Sequence, residues 1–169
     1  PHEGEVGVAI YYYDIATSSV EEKLFISTDK SWGTVIGELG RLVYYSVDED
    51  RLYVLADQTL YEIDVEKGDQ TVLAEELTED RYVVSEDGHM MAYQAEGNIV
   101  VRNLATGGER TMESAEGESI RPLGFIKNDF VYGAVREEDV GQTVSGETVE
   151  PMYKVEIQDG KEQIIKTYE

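Results

Sequence analysis

Four stretches of the chain repeat one pattern: "VAIYYYDIATSSVEEKL" (8–24), "TLYEIDVEKGDQTVL" (59–73), "NIVVRNLATGGERTM" (98–112) and "PMYKVEIQDGKEQII" (151–165). Each opens as an alternating apolar and polar run. It then reaches an acidic residue or Asn followed by an aliphatic: Asp14-Ile15, Asp64-Val65, Asn103-Leu104, Glu156-Ile157. A polar turn follows, usually with Gly, and then a second run. Period-two alternation sets one face of a strand against a core, and Asp or Asn side chains bond their own backbone at turns. The repeated unit is therefore a β-hairpin.

Three of the four hairpins follow a second kind of unit, in which two apolar runs flank an acidic or Asn turn: "LVYYSVDEDRLYVLA" (42–56), "RYVVSEDGHMMAYQ" (81–94) and "LGFIKNDFVYGAV" (123–135). Joined to its hairpin, each makes a four-stranded antiparallel meander. The expected strands cover 6–15, 21–27, 42–47, 52–56, 59–65, 70–74, 82–85, 90–94, 98–104, 109–113, 122–126, 130–136, 151–157 and 162–167. The anchors Asp64, Asn103 and Glu156 lie 39 and 53 residues apart, and "EEDVGQTVSGETVE" (137–150), of loop composition, accounts for the longer interval. Helical periodicity is almost absent. "EELTED" (75–80) is the best helical candidate, and it has too few apolar residues to bury a face.

A repeated four-stranded unit of this length is the sequence mark of a propeller blade, since one such sheet buries too little alone and must stack on another. The turn Ser85-Glu86-Asp87-Gly88-His89 resembles the "S-P-D-G-K" turn of bacterial β-propellers of the TolB-like and WD40-like class, without its Pro and Lys. Asp48-Glu49-Asp50-Arg51 and Lys127-Asn128-Asp129 match it more loosely. The resemblance spans residues 40–168. It implies an all-β, β-propeller-like fold with blades at about 40–75, 80–114 and 120–168 and a leading hairpin at 6–27. Three blades fall short of an ordinary ring, so a part-propeller or a piece of a longer one is expected.

Composition narrows the function. Lys and Arg number 14 against 36 Asp and Glu, a formal charge of −22. Such a chain repels nucleic acid and anionic lipid. With no cysteine, disulfides, thiolate metal sites and a Cys nucleophile are excluded. No apolar run is long enough to span a bilayer. The chain begins at Pro1 rather than Met, and together with the resemblance this points to an exported or cell-surface protein.

Candidate sites reduce mostly to turns. Asp48, Glu49 and Asp50 could share a Ca²⁺, but they lack the spacing of a calcium loop and read as a solvated turn. His2 and His89 have no second His nearby for zinc. "GELG" (37–40) and "ATGGE" (105–109) read as turn glycines with no following helix to bind phosphate. "STDKSWGT" (27–34) is similar to the Asp-box of sialidases, itself a structural turn, with Ser31 in place of its Gly. Asp87, Gly88, Asp64 and Asn103 read as turn formers. Trp32 and the runs Tyr11-Tyr12-Tyr13 and Tyr44-Tyr45, with Tyr12 and Tyr44 foremost, are the candidate binding surface, because aromatic faces stack on sugars and suit protein interfaces. Adjacent tyrosines alternate faces, so half of each run is expected in the core. No catalytic residue, cofactor or metal is expected.

The expected function is a non-catalytic binding or scaffolding module that recognises a protein or carbohydrate through blade-end loops, with 137–150 the main loop. Two other roles stay open: a propeller accompanying a peptidase or hydrolase domain, and an assembly module pairing through open blade edges. The turn itself is testable. Gly88→Val should cost about 1–2 kcal/mol by forcing a β-branched residue into left-handed backbone; an unchanged melting temperature would refute the turn.

Overall fold

Strands rich in Tyr, Val and Ile, with Gly, Asp and Asn between them, mostly pair with their sequence neighbours because the turns joining them are too short to reach anything else. The computed structural model describes residues 2–169 and divides them into two compact units, up to Glu76 and from Leu77 onward. In the first unit, β1 (Val6–Asp14) and β2 (Ser19–Thr28) form a two-stranded hairpin, and α1 (Trp32–Arg41) follows. Next comes a four-stranded meander of β3 (Val43–Ser46), β4 (Arg51–Ala56), β5 (Thr59–Asp64) and β6 (Asp69–Ala74). The second unit opens with the meander β7 (Tyr82–Val84), β8 (Met90–Ala95), β9 (Asn98–Asn103) and β10 (Glu109–Met112). Its second sheet joins β11 (Glu118–Ile126) and β12 (Asp129–Arg136) to β15 (Met152–Gln158) and β16 (Ile164–Tyr168). The small hairpin β13 (Gly141–Gln142) and β14 (Thr148–Val149) interrupts it. The fold is all-β: three antiparallel, four-stranded sheets of blade type and a leading hairpin.

Each unit is held by sheets buried face to face. In the first, Ile10 and Ile26 of the leading hairpin pack with Val54, Ala56 and Ile63 of the first blade. In the second, Ala92, Ile99 and Val101 of the second blade meet Ile120, Phe130 and Ala134 of the third. Each buried aliphatic or aromatic side chain contributes about 1.5–3 kcal/mol when removed from water. The second unit is also tied by charge. Arg121 of the third blade bonds Asp80 at 2.9 Å and Glu150 at 2.8 Å, and Arg81 reaches the same Glu150 at 3.2 Å.

The hairpin anchors work as the turn chemistry demands. Asp14 accepts from the N–H groups of Ala16 and Thr17, Asp64 from Lys67, and Asn103 from Ala105 and Thr106. Four residues after each anchor the backbone turns left-handed, at Ser18, Gly68 and Gly107. Glycine is needed at Gly68, where a Cβ would lie 2.7 Å from the Lys23 carbonyl oxygen. The fourth anchor is not Glu156. That residue sits inside β15 and accepts the Tyr132 hydroxyl at 2.6 Å, and Asp159 takes the turn by accepting from Lys161 and Gln163.

"EELTED", too poor in apolar residues to bury a helical face, is not helical, and Glu76 has φ +57°, which a right-handed helix cannot hold. Two sequence expectations fail. The helix is α1, and "GELG" lies inside it rather than in a turn. Three glycines, poor helix formers, hide it in the sequence. It forms because Ser31 caps it, accepting from the Thr34 N–H at 3.3 Å, and because Val35 and Leu39, one turn apart, bury one stripe. The segment 137–150 is a short helical turn at Glu137–Asp139 followed by the β13–β14 hairpin, not an irregular loop.

Helix α1 also supports a strained turn. Asp57 and Gln58, between β4 and β5, both have positive φ, +53° and +57°. A two-residue hairpin turn of type I′ requires this and normally recruits Asn and Gly. Here the Glu38 carboxylate accepts both turn N–H groups, from Asp57 at 2.6 Å and from Gln58 at 3.0 Å. Charge-assisted bonds of this kind contribute about 1.5–3 kcal/mol. Glu38→Ala should lower unfolding stability by about that amount, and adding Gln58→Gly should recover part of it by relieving backbone strain. Urea denaturation of the single and double variants measures both effects; stability of Glu38→Ala equal to the parent would refute the bracing role.

Candidate functional site

A meander places its first and third turns at one end of the sheet. In the second unit four turns gather in this way: 85–89 and 104–108 of the second blade, 127–128 and 159–163 of the third. They surround a cleft of about 590 Å³. Its floor is the end of the inter-sheet core, with Met90 and Val101 from one blade and Phe125 and Phe130 from the other. The two phenylalanine rings lie 5.1 Å apart in a tilted contact. The rim is acidic, with Asp87, Glu109, Asp159 and Glu162. Arg110 crosses it, donating to Gln158 and pairing with Glu162 at 3.6 Å.

The 85–89 turn shapes one wall. Ser85 is buried; its hydroxyl donates to Asp87 Oδ1 at 2.6 Å and accepts the Met90 N–H at 2.9 Å. Asp87 Oδ1 also accepts the His89 N–H at 3.0 Å, and Gly88 has φ +73°. The Ser85 hydroxyl above all, then the His89 N–H, holds the Asp87 carboxyl below its ordinary value. His89 is exposed, with Nδ1 3.7 Å from Asp87. Ser, Asp and His therefore come together, but Ser85 is enclosed in turn hydrogen bonds.

The residues singled out in the sequence separate in space. Asp87, His89 and Asn103 line this cleft; Asp64 terminates β5 in the first unit. Trp32 stands exposed at the first residue of α1. Tyr12 lines a second concavity, of about 370 Å³, in the first unit. Of the Tyr44-Tyr45 pair, Tyr45 shares this concavity and Tyr44 is absent from its lining because neighbours on a strand face opposite ways. Tyr11 also borders it, with its hydroxyl bonded to its cross-strand partner Glu22. Asp50 accepts the Tyr45 hydroxyl, while Ser46 caps the Glu49 N–H at 3.2 Å. Among the described residues no three His, Cys, Asp or Glu side chains converge to hold a metal, and no helix is long and apolar enough to cross a membrane.

Sequence reasoning missed Arg110, Phe125 and Asp159, and from the Tyr44-Tyr45 pair it put forward Tyr44 rather than Tyr45. The available signal for Arg110 was its standing as a lone cation between acidic turns; the others needed strand register. The 137–150 hairpin lies at the far end of its sheet from the cleft, because β12 runs away from the Asn128 turn before the insertion begins.

No protein-family model matches the chain, and no curated protein matches it. Solved structures similar to it include U3-55K, at 12% identity and TM-score 0.39, over 75% of this chain and 38% of that one. The WD40 domain of SCAP from fission yeast has 9% identity and TM-score 0.30, over 75% and 33%. The tricorn protease has 16% identity and TM-score 0.36, over 90% and 17%. The chain spans less than two thirds of the length of each of these. The neighbours are of WD40 and propeller type. The fold class itself rests on the chain's own meanders.

The Asp87 bond gives a pH test. A carboxyl whose value is lowered on folding contributes stability that is complete above its unfolded value, near 4, and is lost as pH falls through its folded value. The melting temperature should therefore fall as pH drops below about 4. In Ser85→Ala the Asp87 carboxyl should titrate nearer its ordinary value, followed by NMR; an unshifted titration would refute the Ser85 contribution.

Proposed function

We propose that the chain is a non-catalytic binding or scaffold module, and that the cleft in its second unit takes hold of a protein partner. The observation that carries this is the pairing of an apolar floor, Met90, Val101 and Phe125, with a rim of four carboxylates. An apolar anchor side chain fits the floor, and lysine or arginine beside it answers the rim. The overall charge of −22 favours a basic partner over nucleic acid.

The turn at Ser85–His89 supports kinship with bacterial TolB-like propellers, and an extracytoplasmic location goes with that proposal. Fractionation of source cells tests the location, and recovery with the cytosol would refute it.

Selection of displayed random peptides against the whole chain tests the cleft. Enriched peptides should carry an aromatic or aliphatic anchor beside basic residues. Their affinity should fall with added salt and by about tenfold in a Glu109→Ala, Glu162→Ala double variant, a 1.4 kcal/mol loss. Peptides that bind this variant as well as the parent would place recognition elsewhere.

A further inference from the structure

The first unit carries a different concavity, at the turn end between the leading hairpin and the first blade. Tyr11, Tyr12 and Tyr45 surround it, exposed by 56%, 42% and 47%, over a floor of Ile10, Leu52 and Val65. Asp50 and Glu66 stand at its edge. Three large apolar rings left open on one concave surface require an account.

The rings are held in place. The Tyr45 hydroxyl donates to Asp50, and the Tyr11 hydroxyl donates to Glu22 at 2.8 Å. A phenol that donates to a carboxylate gains electron density in its ring, and the ring face becomes a better partner for positive charge. These two hydroxyls are therefore committed as donors to carboxylates. The Lys23 ammonium, paired with Glu21 at 2.8 Å, lies 5.6 Å from the centre of the Tyr12 ring. Lys23 is the extra residue of β2 where the β1–β2 register shifts, and its side chain lies beside Tyr12.

We propose that this concavity binds an organic cation, a quaternary ammonium group carried by a small molecule. Such a group has no N–H to satisfy and is weakly hydrated, so aromatic faces can replace its water at little cost. The carboxylates of Asp50 and Glu66 supply the opposite charge. A sugar would require free donors and acceptors around the rings, and two of the three hydroxyls are taken. A lysine ammonium would lose three strong hydrogen bonds to water on entering.

Choline chloride is the probe, titrated into the whole chain while its methyl protons are followed by NMR. Saturable upfield shifts from the tyrosine ring currents are expected, with a dissociation constant of about 1 mM. The affinity should fall by about tenfold in Tyr12→Leu and in Tyr45→Leu, and measurably in Glu66→Gln, an exposed turn substitution that spares the rings. Glu109→Ala, Glu162→Ala should bind choline as the parent does, which separates this site from the cleft of the second unit. The neutral analogue 3,3-dimethylbutanol, of the same shape, should bind far more weakly. The proposal is overturned if the neutral analogue binds as tightly as choline, if choline up to about 50 mM gives no saturable shift, or if all three variants bind unchanged.

Discussion

Burial of one sheet against another is the interaction on which this protein depends. A four-stranded meander of short strands has two faces and too few residues to enclose either. Ile120, Phe130 and Ala134 leave water only because Ala92, Ile99 and Val101 lie opposite them. The first unit solves the same problem with fewer strands, setting Ile10 and Ile26 of a hairpin against Val54, Ala56 and Ile63. Turns can then carry costly backbone, since the packed strands fix where each turn must close.

That order of cause explains the polar groups at the strand ends. Asp14, Asp64, Asn103 and Asp159 bond turn N–H groups that would otherwise point into solvent or a neighbour. Glu38 acts across elements, bracing two left-handed residues from a helix. Both concavities lie where sheets diverge at their turns. Each inherits an apolar floor from the core and a charged edge from the turn residues, and this combination suits ligands with an apolar or aromatic-loving part and a positive charge.

Strands were legible because their signal is local. Alternation, Tyr and Val content and Asp-Gly punctuation act over a handful of residues, and the fourteen expected strands all have counterparts in the structure. The 122–126 run extends back to Glu118, where Ser119 and Arg121 interrupt the apolar pattern. Helix α1 was illegible because Gly33, Gly37 and Gly40 argue against helix, and the docking of Val35 and Leu39 overrides them. The β13–β14 hairpin was missed because two-residue strands leave no period to read.

The sequence by itself determined the repeat, the hairpin turns and the acidic surface, all of which follow from residue types within a turn or a strand. Tertiary structure decided which of these residues meet. Strand register and packing placed Tyr11, Tyr12 and Tyr45, rather than Tyr44 and Trp32, around one concavity. Sheet packing brought Arg110 to Glu162 and Phe125 to Met90 around one opening. Such pairings join residues far apart in the chain, and they are set by how the apolar faces bury each other, which no local pattern encodes.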